Sequence, residues 1–166
     1  LCADADARLG SFAAVAAVAR LILQDFRSYE ALDLTIGGQI VALIGENGAG
    51  KTNILEALSL FSPGRGLRRA DLADMARQDG DGSFAASITL GDDGSRLGIG
   101  LGPADADGKR PRLARIDGMP AGSALAFSDH LRVVWLTPDL DGLFRGAAGD
   151  RRRFLDRLVL AVDPVH

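Results

Sequence analysis

Residues Ile44 to Asn53 read IGENGAGKTN. Within them Gly45-Glu46-Asn47-Gly48-Ala49-Gly50-Lys51-Thr52 satisfies the spacing G-x-x-x-x-G-K-[ST] at every fixed position. The chemistry this pattern serves is capture of a nucleoside triphosphate. Glycines let successive backbone N–H groups turn inward as an anion-binding concavity, and a helix starting at the loop's end adds the positive end of its dipole. Lys51 would place a point charge on the β- and γ-phosphates, and the Thr52 hydroxyl would offer an oxygen to Mg²⁺. Asn47 and Asn53 flank the loop with two readings open. They bond phosphate oxygens or orient a water, or they serve as turn and helix-start residues. A chance match arises at roughly one position in tens of thousands, so nucleotide binding is the firm expectation.

Such a loop works only between a strand and a helix, and the flanking sequence predicts both. QIVALI (39–44) is a continuous apolar run, as expected of a strand buried on both faces. TNILEALSLF (52–61) places Ile54, Leu55, Leu58 and Phe61 at helical spacing. Upstream, ARLILQDF alternates, RSYE turns and ALDLTI alternates again, which predicts an antiparallel hairpin ahead of the loop. Kinases and GTPases usually start with the loop's own strand, so a preceding strand pair suits ATPases whose head carries an extra antiparallel layer. Downstream, SPGRGLRRA gathers three arginines before a short helix at DLADMARQ. Short strands are predicted at FAASITL, RLGIGL and RLARI, and RIDGMP contains the Asp-Gly pair of a tight hairpin. Gly102 to Pro111 reads as a mobile polar loop and HLRVVWL as another buried strand. GDRRRFLDRLVLAV reads as an amphipathic helix with Phe154, Leu155, Leu158 and Val162 inward.

The bulk composition narrows the classes. The chain has 166 residues, 47% hydrophobic and 25% charged, which is enough for one core-bearing domain and fits a soluble globular protein. Its net charge of -3 argues against coating nucleic acid by bulk positive charge, though local basic patches are compatible with it. Only Lys51 and Lys109 of the 19 basic residues are lysines, so the lysine inside the glycine-rich loop stands out. The lone cysteine, Cys2, excludes an internal disulfide and fits a reducing, cytoplasmic setting. No stretch approaches the roughly 20 apolar residues of a membrane span. SFAAVAAVA (11–19) ends like a signal-peptidase site, but Asp4 and Asp6 stand where a signal peptide needs basic residues. Residues 1–18 are therefore expected to be a disordered leader.

Taken together, the motifs from about Arg20 to His166 resemble the N-terminal part of the RecF family, repair and replication ATPases related to SMC and ABC-type heads. LILQDFRSYEALDL is similar to the family's opening hairpin with its Phe-Arg-x-Tyr turn, and IGENGAGKTNILEAL to its phosphate loop. SPGRGLRRADL, RIDGMP, VVWLTPDLDGLF and GDRRRFLDRLVL follow in the family's order. The last two are more specific than the phosphate loop, which many unrelated proteins share. Ala49 and Gly66 depart mildly, replacing larger or more polar residues, and the first nineteen residues have no counterpart.

The resemblance implies an α/β fold of the ABC/SMC-head type. Residues 19–138 would form a first P-loop ATPase lobe with an added antiparallel layer, and 139–166 the start of a helical arm. It implies that Gly45, Glu46, Asn47, Gly48, Ala49, Gly50, Lys51, Thr52 and Asn53 hold ATP, with Thr52 on Mg²⁺. Arg27 occupies the place where related heads bring a basic residue to the nucleotide, and Arg65 and Arg68 lie in the loop that supplies an arginine near the phosphates. For each, a solvated surface charge is the alternative. Arg151, Arg152 and Arg153 match the family's arm-helix start, and three adjacent arginines cannot share one helix face.

The Ser-Gly-Gly-Gln segment and the apolar run ending in Asp-Glu, which family chains carry far downstream, do not occur in these 166 residues. The acidic pair holds Mg²⁺ and polarises the attacking water, so this stretch carries half a site and is expected to show no ATPase activity above background. Full-length relatives are implied to be slow DNA-dependent ATPases that dimerise on ATP and clamp single-stranded or gapped duplex DNA. They are implied to support recombinase loading with RecO and RecR partners, gap repair and the SOS response. Two readings from other classes stand beside this one: a small P-loop kinase acting on a metabolite, and a non-hydrolysing nucleotide-binding interaction module.

Overall fold

The computed structural model describes residues 18–138 and 147–162. Its frame is one six-stranded, wholly antiparallel sheet in the order β2-β1-β3-β4-β5-β6. The strands are β1 (Val18–Phe26), β2 (Tyr29–Thr35), β3 (Phe84–Leu90), β4 (Arg96–Leu101), β5 (Arg112–Ile116) and β6 (Met119–Pro120). All the predicted hairpin strands are present. Helix α1 (Lys51–Ser59) leaves the sheet's edge region after the glycine-rich loop, and α2 (Ala148–Val162) is the predicted amphipathic segment. Two 3₁₀ turns, Leu72–Met75 and Ala124–Asp129, close the loops between them. DLADMARQ therefore forms a single 3₁₀ turn rather than an α-helix.

Alternation sets the faces of the sheet. Leu21 pairs with Ile88 and with Leu34, and Leu23 with Ala86 and Leu32, so one face of β1 lies wholly against apolar neighbours. Leu97, Ile99 and Leu101 continue that face on β4. α1 closes it with Ile54 and Ala57, followed by Leu60 and Phe61, and the 3₁₀ turns add Met75 and Phe127. Two aromatic contacts lie within this core: Phe26 stands edge-on to Phe84 at 5.4 Å on the neighbouring strands β1 and β3, and Phe61, just after α1, meets Phe127 of the second 3₁₀ turn at 5.6 Å. Each such fully buried large side chain stabilises the fold by about 1.5–3 kcal/mol relative to exposure.

The turns follow their residue types. Phe26 pairs with Tyr29 across a two-residue loop, so Arg27 and Ser28 form the tip, with Arg27 at φ 54°. Ile116 pairs with Met119, and the intervening Asp117 and Gly118 both have positive φ, 50° and 84°, as a type I′ turn requires.

Three further sequence expectations differ from the structure. QIVALI is not a strand: Ile40 is 95% and Ile44 93% exposed, and no described strand pairs with 39–44. HLRVVWL is likewise irregular; Leu131 enters the core but Leu136 is 74% exposed. Hydrophobicity makes a segment favour burial, but a strand also needs a ladder partner for its backbone groups, and the described sheet supplies none for either run. On the helices, Leu55 and Leu155 face outward, more than half exposed. The face of α1 that meets the sheet is set by Ile54, Ala57 and Phe61 instead. Residues 1–17 and 139–146, which hold the expected leader and part of the expected arm, lie outside the described residues, as does Val162's side chain. Among the described residues no helix is long and apolar enough to cross a membrane.

Candidate nucleotide-binding site

The loop Gly45–Gly50 delivers the chain into α1 through backbone conformations that glycine favours. Gly48 and Gly50 stand at φ 89° and 88°, in the left-handed region. Gly50 is the N-cap of α1, and no side chain caps that helix end. The amides of Lys51 and Thr52 find no acceptor among the described residues, whereas those of Asn53 and Ile54 both bond the Gly50 carbonyl. Free first-turn amides at the positive end of a helix dipole are what a phosphate oxygen requires. Lys51 Nζ donates to the Gly45 and Glu46 carbonyls, each at 2.7 Å. The ammonium is thus held over the loop by two neutral acceptors, which an anion would outcompete. Glu46, Asn47, Ala49 and Thr52 are exposed. This donor set fits a triphosphate. Mg²⁺ fits it too, because that ion keeps most of its waters and takes one or two protein oxygens beside phosphates. Among the described residues no cluster of His, Cys, Asp or Glu forms a protein-only metal cage.

The β1–β2 turn braces the loop from behind. A Cβ on Gly50 would lie 2.5 Å from the Tyr29 Oη, so the tyrosine occupies the space a side chain there would need. The Tyr29 hydroxyl also reaches the Ala49 carbonyl at 3.4 Å, a long contact whose weight is mainly packing. Next to it, Asn53 Nδ2 donates to Ser28 Oγ at 2.9 Å, and Asn53 Oδ1 accepts from Arg68 Nη1 at 3.2 Å. The Asn53 amide is therefore engaged in tying α1 to the turn and to the arginine-bearing loop.

Glu56 forms the centre of this bracing. Its carboxylate is fully buried on α1 and accepts from Arg27 Nη2 at 2.7 Å and from Arg27 Nε at 3.0 Å. Arg68 Nη1 adds a third bond at 3.0 Å. Arg27 completes its set by donating from Nη1 to the Asp74 carbonyl at 2.6 Å and from its backbone N–H to the Met75 carbonyl. A buried carboxylate persists only when it is paired, and here a forked guanidinium meets it on two oxygens. The hairpin turn, α1 and the loop at 65–75 are thereby joined through one anion.

The structure thus brings Arg27 and Arg68 to the second turn of α1, behind the loop, with their donors on Glu56. It does not bring Arg65 to the loop. Arg65 is exposed and lines a groove of about 330 Å³ with Arg112, Leu60 and Leu72, and no residue of 45–53 lines that groove. Sequence reasoning missed Glu56 and Tyr29. A charged residue one position from the apolar stripe of a short helix resembles a solvated one, and Tyr29 is marked only by its place in the Phe-Arg-Ser-Tyr turn.

Residues 17–96 match the RecF/RecN/SMC N terminal domain. The chain is 52% identical over 149 residues to the DNA replication and repair protein RecF of Mesorhizobium japonicum, covering 90% of this chain and 39% of that protein. It is 50% identical over 149 residues to RecF of Rhizobium etli, covering 40% of that protein, and 52% over 147 residues to RecF of Rhizobium meliloti. The chain thus spans about two fifths of the length of these curated relatives. Among solved structures, the recombination mediator protein RecF-ATPrS in the RecFOR pathway superposes with a TM-score of 0.74 at 20% identity, over 89% of this chain and 39% of that one. RecF-ATP follows at 0.72 and 20%, over 91% and 41%. At that identity the likeness speaks for the fold, an α/β P-loop head of the ABC/SMC type whose antiparallel layer is the sheet described above. Half of the residues being identical over nine tenths of its length, this chain belongs to the RecF family.

Proposed function

We propose that these residues form the ATP-binding part of a DNA replication and repair protein. ATP with Mg²⁺ sits on the loop Gly45–Thr52, its phosphates on the α1 amides and Lys51, its metal on the Thr52 hydroxyl. The observation that carries this reading is the uncapped start of α1, with Lys51 held over the loop by two carbonyls. The names of the relatives support the DNA role. In the complete protein, ATP drives dimerisation around single-stranded or gapped duplex DNA in the cytoplasm. RecR- and RecO-type partners then use the clamp in recombinase loading, gap repair and the SOS response. Hydrolysis is slow and requires the acidic pair and signature segment that these residues do not include.

The test is equilibrium binding of a fluorescent ATP analogue to the gene product that contains these residues, with and without Mg²⁺. Lys51→Ala removes a charge-assisted contact of about 1.5–3 kcal/mol, so affinity falls about ten- to hundredfold. Thr52→Ala removes most of the Mg²⁺ dependence. Unchanged affinity in Lys51→Ala refutes the site. Phosphoryl transfer to a small acceptor would replace the repair reading with a metabolite kinase.

A further inference from the structure

The face of the sheet opposite the core carries a trough that nothing in the nucleotide site explains. Across the strands, Ile22 pairs with Ser87, Ser87 with Gly98, and Gly98 with Arg115. The next outward row pairs Ala85 with Gly100 and Gly100 with Leu113. In these two rows the middle strands thus present only small residues, and larger ones rise on either side. The depression has a volume of about 300 Å³, and Arg96 closes one end of it.

The two glycines have different standing. A Cβ at Gly100 would meet the Phe84 carbonyl oxygen, so packing alone demands glycine there. A Cβ at Gly98 would meet nothing closer than the Arg115 Cβ at 3.9 Å, which is ordinary contact. Gly98 also lacks the positive φ that would require it. Glycine inside a strand costs roughly 0.5–1 kcal/mol relative to alanine; it recurs at bulges, at tight bends and where another chain or ligand approaches closely, and the pairing at Gly98 runs in regular register on both sides. The rim is cationic: neither the Arg96 nor the Arg115 side chain has an ion-pair partner among the described residues. Of the carboxylates near this face, Asp33 is paired with Arg20, and Asp117, in the β5–β6 turn, accepts from the backbone N–H of Arg96 at 2.8 Å and makes no ion pair with its guanidinium. Leu113, 37% exposed, supplies an apolar wall, and Ile22, equally exposed, flanks the depression beside Ser87 on β1.

We propose that this trough docks an amphipathic α-helix of a partner protein, with its apolar stripe on Ser87, Gly98 and Ala85 and acidic residues along the edge facing Arg96 and Arg115. The size fits. Strands lie about 4.8 Å apart, so walls on β1 and β5 stand roughly 14 Å apart, and a helix with side chains is about 10–12 Å across. Nucleic acid fits less well, because two unpaired arginines match two phosphates where duplex-binding surfaces neutralise roughly six to ten. A second copy of the same face would set arginines against arginines.

The experiment uses the complete gene product and a fluorescein-labelled amphipathic helix of about 18 residues, long enough to be helical alone. The helix carries leucines on one stripe and glutamates along one edge, and a control carries lysines in their place. Anisotropy is expected to show saturable binding of the acidic helix and none of the basic one. Gly98→Leu, whose Cβ meets only ordinary contact, fills the floor and should weaken binding at least about tenfold, as central interface changes do, with ATP affinity and melting temperature unchanged. Arg96→Glu with Arg115→Glu should reverse the preference to the basic helix. Equal binding in Gly98→Leu, or no binding of either peptide, overturns the proposal. So does a gapped duplex that binds in place of the peptide and is lost in Gly98→Leu, which would assign the face to nucleic acid.

Discussion

Replacing Glu56 by alanine removes the carboxylate that joins Arg27 and Arg68 behind the phosphate loop. The change deletes three charge-assisted bonds and leaves two guanidinium groups facing a cavity. Removing one partner of a buried ion pair costs about 3–5 kcal/mol. Here the carboxylate is fully buried, but the Arg27 and Arg68 side chains keep 21% and 43% exposure and regain some water. Discounting for that screening gives about 2–3 kcal/mol. For a chain of this size the shift is roughly 5–10 °C in melting temperature. Arg68→Ala leaves the two-bond fork of Arg27 intact and should cost within about 1 kcal/mol. Arg27→Ala should approach the cost of Glu56→Ala, since it strands the buried anion and frees the Asp74 carbonyl as well. The assay is urea unfolding of the single variants and of the Arg27→Ala/Glu56→Ala pair, with coupling expected at about 1.5–3 kcal/mol. The reasoning fails if Glu56→Ala lies within about 0.5 kcal/mol of the parent, or if Arg68→Ala costs as much as Glu56→Ala. A parallel ATP titration should show weaker binding in Glu56→Ala, because the α1 start loses its brace.

Three further outcomes are expected. Gly50→Ala combines a left-handed backbone with a clash on Tyr29, so it should abolish ATP binding and lower the melting temperature; adding Tyr29→Ala relieves the clash but not the φ strain, and should restore stability only in part. The carboxyl groups of Asp33, Asp81 and Asp93 are held below the usual carboxylate range, first by hydrogen bonds from Arg20, Ser83 and Ser95 respectively. A lowered folded pKa gives stability that is present above the ordinary carboxylate value and lost as pH falls through the folded one, so Asp33→Asn should lower the neutral part of an unfolding-versus-pH curve slightly and leave its acid end nearly unchanged, which flattens the acid limb. Ile40, Ile44 and Leu136 expose apolar surface in the chain as described; replacing them together by asparagine should reduce dye binding and self-association in light scattering, and undiminished dye binding would place the sticky surface elsewhere.

Local rules carried much of this chain. The glycine-rich loop running into a helix was legible because its residue types are set within eight consecutive positions, and the hairpins because alternation and an Asp-Gly turn are short-range features. What escaped was whatever depended on a partner far away in sequence. Arg27 read as a nucleotide contact or a surface charge, and its engagement with Glu56 is fixed by the way the β1–β2 turn lands on α1, 29 residues on. Gly50 looked like a phosphate-loop glycine only, yet Tyr29 makes the same demand from the other side. The apolar run at 39–44 shows the converse. Its composition asks for burial, but only tertiary structure decides whether a neighbouring strand is there to provide it, and the described sheet provides none. The sequence by itself thus determined where a glycine-rich loop would turn into a helix and which strands would pair with their neighbours. Tertiary structure alone decided which charges meet behind that loop, because a buried ion pair depends on distance in space and leaves no spacing in the chain to read.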